Sequence, residues 1–271
     1  MAARCAEKAS FSLQRFLQRF CSSSGVAYLK ISFMNEKLER SFGWPSSYTS
    51  DSVGAVEIDL EATPSNYIWN KLFSRNRRKK IMRYEREGYR AQEARTRSDL
   101  REFYVLYCDT MKNVGARPYP YQFLENMWTL LHPLNLRIWL VAKEEAIGGM
   151  LVLKDIGRRY LLLAGIDRKQ GNPHGVLNYL YWREIRTAEE EGCKYVSLGA
   201  TPSDPSHPYY VKKTSFGGSF IQQKVVYHPC SPVGRVILQG RAAALSGWKT
   251  IRSSLPIRFK RIVEKELQSF L

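Results

Sequence analysis

Histidine and cysteine are scarce and scattered. Neither His174 nor His207 has a partner at metal-ligand spacing, and Cys5, Cys21, Cys108, Cys193 and Cys230 form no CxxC pair and no Cys/His cluster. That excludes a cysteine- or histidine-held metal centre, and no Ser-His-Asp triad is supported by motif. Cysteines so spaced are expected to be reduced, mostly structural thiols of a cytosolic protein. No stretch of about 18 uninterrupted apolar residues occurs, so no span of a bilayer is expected. No internal repeat is found. Acidic residues are also few: 25 Asp and Glu stand against 42 Lys and Arg, a net charge of +17. An excess of that size points to polyanionic partners (nucleic acid, phosphorylated carriers or an anionic membrane surface) or to a solvated basic face.

What is present is enough for a folded chain. With 271 residues, 44% hydrophobic and 13% aromatic, the sequence can bury one full core, or one full core and part of a second. The first 24 residues are rich in Arg and Ser and poor in acid, as in an organellar transit segment. Against this, Phe11, Leu13, Phe16, Leu17 and Phe20 fall largely at helical spacing, which predicts an amphipathic helix.

Period and punctuation predict the remaining elements. Strands are expected over Ala27 to Phe33 and Val53 to Leu60, with a helix over Asn35 to Phe42 between them. One helix is expected from Tyr67 to Glu87, closed by Gly88, with Arg75, Arg77, Arg78, Lys79, Lys80, Arg83 and Arg86 making a strong local positive field. A strand over Tyr89 to Arg95 and helices over Leu100 to Lys112 and Tyr121 to Leu131 follow. Three apolar strands, Leu136 to Lys143, Gly149 to Lys154 and Arg159 to Gly165, are joined by short polar turns and read as an antiparallel meander. A helix over Val176 to Glu191 and a strand over Lys194 to Leu198 would return the chain to the same sheet. Residues 201 to 210 read as a loop, Phe220 to Tyr227 as a last strand, and the tail from Ser231 as a basic helix. The fold class is α/β, a mixed and mostly antiparallel sheet flanked by helices.

Several segments together resemble one family. Trp69-Asn70-Lys71-Leu72 followed by Arg78, Ile81 and Gly88, then Thr110, Gly115, Arg117 and Tyr121, match its spacing. Trp182, Ile185, Ala188, Gly192, Leu198 and Gly199 continue the match, with Ser197 where an Asp is usual. Tyr210 to Gly218, with Lys213, Phe216, Gly217 and Gly218, resembles its closing signature, with Lys212 where an aromatic is common. Over about residues 53 to 228 the chain is similar to the Fem-type aminoacyltransferases and the wider GNAT-like acyltransferases. The resemblance implies a GNAT-like acyltransferase fold over 53–230, a remnant of a preceding lobe over 1–52 and a basic helical tail over 231–271.

The implied activity is transfer of an aminoacyl or acyl group to an amine of a cell-envelope (peptidoglycan) or glycan precursor. Such chemistry needs a donor to the developing oxyanion and a route for the amine's proton. By resemblance Lys213 is the oxyanion-stabilising cation and Tyr160 lines the catalytic cleft. Arg117, Tyr121, Lys212, Phe216 and Gly217 would bind a phosphorylated acceptor, and Arg75, Arg78, Lys79 and Arg83 a tRNA donor. An acyl-CoA donor would instead use Gln170 and Gly175 in the turn before the long helix, where Pro173 removes one amide. A lobe that only binds RNA or a phosphorylated carrier is the reading without catalysis. No tightly bound cofactor is implied. The expected location is cytoplasmic, with the basic tail either resting on an anionic membrane or simply solvated.

Overall fold

The computed structural model describes residues 17, 19, 28–33, 48–50, 53–169 and 173–240. Its strands are β1 (Tyr28–Phe33), β2 (Tyr48–Ser50), β3 (Val53–Asp59), β4 (Arg90–Glu93), β5 (Leu136–Ala142), β6 (Ala146–Asp155), β7 (Arg158–Ile166), β8 (Tyr195–Pro202), β9 (Ser219–Gln222) and β10 (Lys224–Pro229). Its helices are α1 (Ser65–Tyr67, running on as a π-turn over Ile68–Leu72), α2 (Arg75–Arg86), α3 (Arg97–Asn113), α4 (Tyr121–Leu131), α5 (Pro173–Glu190) and α6 (Pro208–Thr214). Residues 232–240 are helical as well.

The chain divides into two compact units. One comprises Ala55–Ile221; the other joins Met1–Gly54 with Gln222–Leu271. In the second unit β10 lies between β1 and β2, antiparallel to both. Both faces of β10 are covered: Val226 packs with Leu17, Leu29 and Ile31, and Val225 and Tyr227 with Tyr28 and Leu238. The helix expected over 35–42, most of the N-terminal helix, and residues 241–271 of the basic tail lie outside the described residues.

The first unit is built on a seven-stranded sheet in the order β4-β5-β6-β7-β8-β3-β9. Strands β4 to β7 are antiparallel and β8 joins β7 in parallel, the mixed sheet expected from the sequence. The apolar run of β5, interrupted only by Arg137, has its explanation in burial on two faces. Leu136, Ile138 and Leu140 face a core with α3 and α4, while Trp139 and Val141 face a second core with α2 and α5.

Close approach of α3 to β7 depends on a missing side chain. A Cβ on Gly165 would meet the backbone of Leu106 and Tyr107, 2.6 Å from the Leu106 carbonyl carbon. Backbone cannot yield as a flexible side chain can, so Gly165→Ala is expected to destabilise the chain by about 3 kcal/mol. Urea denaturation measures it; a loss under about 1 kcal/mol would show that the helix shifts freely.

Three elements differ from expectation, each for a local reason. The single helix expected over Tyr67 to Glu87 is two: the π-turn ends at Phe73, which is extended, and Ser74 caps a new helix by accepting from the Arg77 amide at 3.2 Å. Residues 201 to 210 are not all loop, because Pro208 sits at the first position of α6 and His207 Nδ1 accepts from the Tyr209 amide at 3.2 Å. The strand expected over Phe220 to Tyr227 is divided between β9 and β10, one in each sheet.

Candidate active site

The site begins with a fault in the sheet. Opposite β6, Leu151 pairs with Leu163 and Val152 with Leu161, so Leu162 is bulged out of β7 and is 47% exposed. A bulge bends its strand and increases the local twist. On the other side of β7, the registered pairs with β8 run from Arg158–Tyr195 to Tyr160–Ser197 and stop there, although both strands continue. At β7's end the Thr110 hydroxyl accepts from the Ile166 amide at 2.8 Å, tying that end to α3. Strand β8 turns at Gly199, which has φ of 78° and where a Cβ would stand 2.6 Å from the Leu161 carbonyl oxygen.

The two strands therefore part, leaving a cavity of about 180 Å³. Leu161 to Ala164 form one wall and Leu198 to Ala200 the other, with Met150, Tyr181 and Lys213 completing it. Parted strands present backbone amides and carbonyls that no ladder uses, a surface suited to an extended acyl chain with an amide or ester linkage.

Lys213 reaches this cavity from α6. Its Nζ donates to the carbonyls of Ala200 at 2.6 Å and Gly199 at 3.2 Å, which fixes the ammonium at the turn of β8. Burial, with Lys212 adding to it, pushes its pKa down to about 8. At neutral pH the group is therefore a largely desolvated cation with a third N–H to spare, the equipment needed to stabilise a carbonyl oxygen that gains negative charge. Burial also raises the pKa of Tyr181 strongly, so its phenol stays protonated and can donate.

Arg77 holds α6 in place. Its Nη1 donates to the Ser215 carbonyl and its Nη2 to the Ser215 hydroxyl, both at 2.6 Å, and its guanidinium lies 4.4 Å from the centroid of Phe216 and 5.0 Å from that of Phe73. Ser215 is the C-cap of α6, where a cation is favoured. Arg77 also depresses the pKa of half-buried Lys212, after burial itself. Sequence reasoning counted Arg77 only among the cations of its helix; the Arg77–Ser215 separation of 138 residues left no local signal. Tyr181 was missed for a similar reason, since it reads as one more apolar-face residue of a helix.

Several expected site residues stand elsewhere. Phe216 is fully buried, edge-on to Phe73 at 5.3 Å and Tyr181 at 5.2 Å, so it is core and not a substrate contact. Gly217 has φ of 90°, and a Cβ there would lie 2.6 Å from Leu72 Cδ1; it is a partly buried packing glycine and does not line the cavity. Tyr160 lies at the last registered pair of β7 with β8 and is not among the residues lining the cavity. Tyr121 packs edge-on against Tyr104 at 5.1 Å, and its hydroxyl is buried. Arg117 is exposed in the loop before α4. Neither Arg117 nor Tyr121 lines the cavity.

The expected donor-binding cations are not equivalent. Arg78 donates to the carbonyls of Trp69 at 2.7 Å and Asn70 at 3.2 Å, closing the π-turn, and Arg83 pairs with Glu87 at 2.6 Å. Arg75 and Lys79 are exposed. Gln170 lies outside the described residues. Gly175 is buried, and a Cβ on it would sit 2.7 Å from Tyr84 Cε2, so its smallness serves the packing of α5 on α2. Pro173 opens α5 and offers no amide to a pyrophosphate turn, of which residues 170–172 lie outside the described residues. Among the described residues no group of three or more His, Cys, Asp and Glu could hold a metal, and no helix is long and apolar enough to cross a membrane.

A model of the acetyltransferase (GNAT) domain matches residues 73–209. The fold recurs in solved structures of low identity. FemX is 13% identical with a TM-score of 0.60, over 85% of this chain and 79% of that one. L-PGS from Bacillus licheniformis is 15% identical with a TM-score of 0.56, over 80% and 72%. The C-terminal DUF2156 domain of a putative lysylphosphatidylglycerol synthetase from Agrobacterium fabrum is 10% identical with a TM-score of 0.50, over 71% and 65%. No curated protein matches the sequence.

Proposed function

The chain belongs to the GNAT acetyltransferase-domain family, and from that premise we propose that it moves an aminoacyl group from a tRNA ester to an amine of a cell-envelope peptide or glycan precursor. The observation that carries the reading is Lys213, a desolvated ammonium at the parting of β7 and β8. A donor ester laid along the parted strands would bring its carbonyl to Lys213. The acceptor amine attacks the carbonyl carbon, the C=O electrons move onto oxygen, and the ammonium stabilises that oxyanion without itself giving up its proton. Collapse of the intermediate re-forms the carbonyl and expels the donor's hydroxyl, to which the proton lost by the amine is finally transferred.

Two features favour the RNA ester. Exposed Arg75 and Lys79 supply phosphate contacts, which carry most of such binding, and Pro173 at the opening of α5 removes an amide that a pyrophosphate turn would use. Two of the structural relatives are named for lysylphosphatidylglycerol synthesis or its abbreviation, and FemX shares the fold. Arg117, exposed before α4, is assigned the acceptor's phosphate or carboxylate. The second reading is an acyl-CoA donor, favoured by the family match and by the free strand edges of the cavity.

Purified protein incubated with labelled aminoacyl-tRNA or labelled acetyl-CoA separates the two. Saturable, salt-sensitive binding of the RNA alone is the expected result. Saturable binding of acetyl-CoA alone would transfer the assignment to the second donor, and binding of neither would overturn both.

A further inference from the structure

Helix α5 borders a second cavity, of about 370 Å³, that shares no lining residue with the first. The end of α2 contributes Glu85, the start of β4 contributes Arg90 and Ala91, and α5 contributes Tyr179, Trp182, Arg183 and Arg186. The acyl-transfer mechanism uses none of them. Arg183 and Arg186 share a helix face at i,i+3. Arg90 approaches from the opposite element, its Nη1 fixed by the carbonyls of Glu85 and Tyr89, each at 2.9 Å. Tyr179 lines the same wall, and burial raises its pKa, so its phenol keeps a proton to donate. Arg183 stands 5.3 Å from the Trp139 ring centroid, and its buried Nε has no hydrogen-bond partner. Against these cations stand Glu85 in the wall and Glu190, which takes one nitrogen of Arg186 at 3.1 Å from outside. The site keeps a net positive charge.

We propose that this cavity binds a phosphate monoester carried on a small polar body such as a sugar. Guanidinium forks converging from two sides match a tetrahedral oxyanion with several acceptor oxygens better than the two coplanar oxygens of one carboxylate. The volume exceeds what a phosphate alone fills, and Tyr179 and Trp182 offer a wall on which a sugar ring can pack. The site is independent of the donor assignment.

Calorimetric titration of the full chain tests it with ribose 5-phosphate, inorganic phosphate, ribose and a short single-stranded RNA. Ribose 5-phosphate is expected to bind at one site per chain and ribose not at all; binding of inorganic phosphate supports the proposal too, since the phosphate is the recognised part. Arg183→Gln and Arg186→Gln should each weaken binding by about tenfold or more, a loss of about 1.4 kcal/mol. Arg186 is exposed, so its variant stands even where loss of Arg183 disturbs the core around Trp139. Lys213→Ala and the exposed Arg101→Gln should leave affinity within about twofold. No binding of either phosphate, unchanged affinity in both cavity variants, or an equal loss in Arg101→Gln would overturn the proposal. So would RNA that competes with ribose 5-phosphate and loses affinity in Arg186→Gln, because the ligand would then be a nucleic-acid phosphate.

Discussion

Replacing Glu184 by alanine is expected to destabilise the folded chain by about 4 kcal/mol, because it strips a buried ion network of its central anion. Glu184 is fully buried on α5. It accepts from the Trp139 indole at 2.5 Å and faces the guanidinium of Arg137 at 3.7 Å and that of Arg159 at 3.9 Å. Both arginines are themselves buried, and Glu191 bridges them, 2.7 Å from Arg159 and hydrogen-bonded to Arg137; Glu93 lies 3.4 Å from Arg137. Burial pushes the Glu184 pKa up while Trp139 and the two arginines pull against it. For Arg137 burial opposes the charge, and Glu191, Glu184 and Glu93 outweigh it. Removing Glu184 leaves the two buried cations to be balanced only by Glu191 and Glu93, both partly exposed, and takes the acceptor from the buried Trp139 indole. Breaking a buried ion network at one member costs more than the intact network contributes. Glu184→Gln keeps the acceptor for Trp139 and should lose less, about 2 to 3 kcal/mol. Urea denaturation of both variants checks the order; equal, small losses would mean that water reaches the arginines.

That network also marks where reading the sequence stops. The β-meander, the long helix and the returning strand were legible because each carries its own period and is bounded by Gly or polar turns, as Gly157 and Gly192 show with φ of 68° and 71°. The resemblance to GNAT-like acyltransferases was legible too: the family match covers 73–209, which holds Trp182 and Gly199, and the fold is shared with FemX, while Trp69 and Lys213 lie outside the matched residues. The motif residues nevertheless divide by physics that spacing does not reveal. Trp69 and Trp182 stack at 4.7 Å in the core, and Gly217 exists to admit Leu72, so they record packing. Lys213 alone of the closing signature lines the cavity. Arg137 and Glu184, 47 residues apart in sequence, each look like a polar interruption of an apolar face; only the register of β5 beneath α5 makes them a pair. The break at Phe73 was hidden by helix-compatible residues on both sides, since a Ser at position 74 reads as readily as helix interior as cap.

Lys213→Ala should lower turnover by about a hundredfold with little change in the apparent affinity for donor, as expected when an oxyanion donor is removed. The donor that the binding assay identifies supplies the labelled acyl group, and transfer to a primary amine is followed. The pH profile distinguishes a catalytic cation from a merely structural one. With its pKa lowered to about 8 by burial and by Lys212, Lys213 is protonated below that pH and neutral above it. Since the cation is the active form, the rate should rise with pH as the acceptor amine loses its proton, then fall through a limb near pH 8. Lys213→Arg keeps the charge to far higher pH, so the falling limb should vanish while part of the rate remains. A base role for Lys213 would give the opposite sign, activity rising through pH 8, and an unchanged limb in Lys213→Arg would remove the residue from the reaction. Folding adds an independent check. A lysine whose folded pKa is depressed binds fewer protons than in the unfolded chain between pH 8 and its ordinary value, so stability should rise with pH across that window, and the rise should be lost in Lys213→Ala.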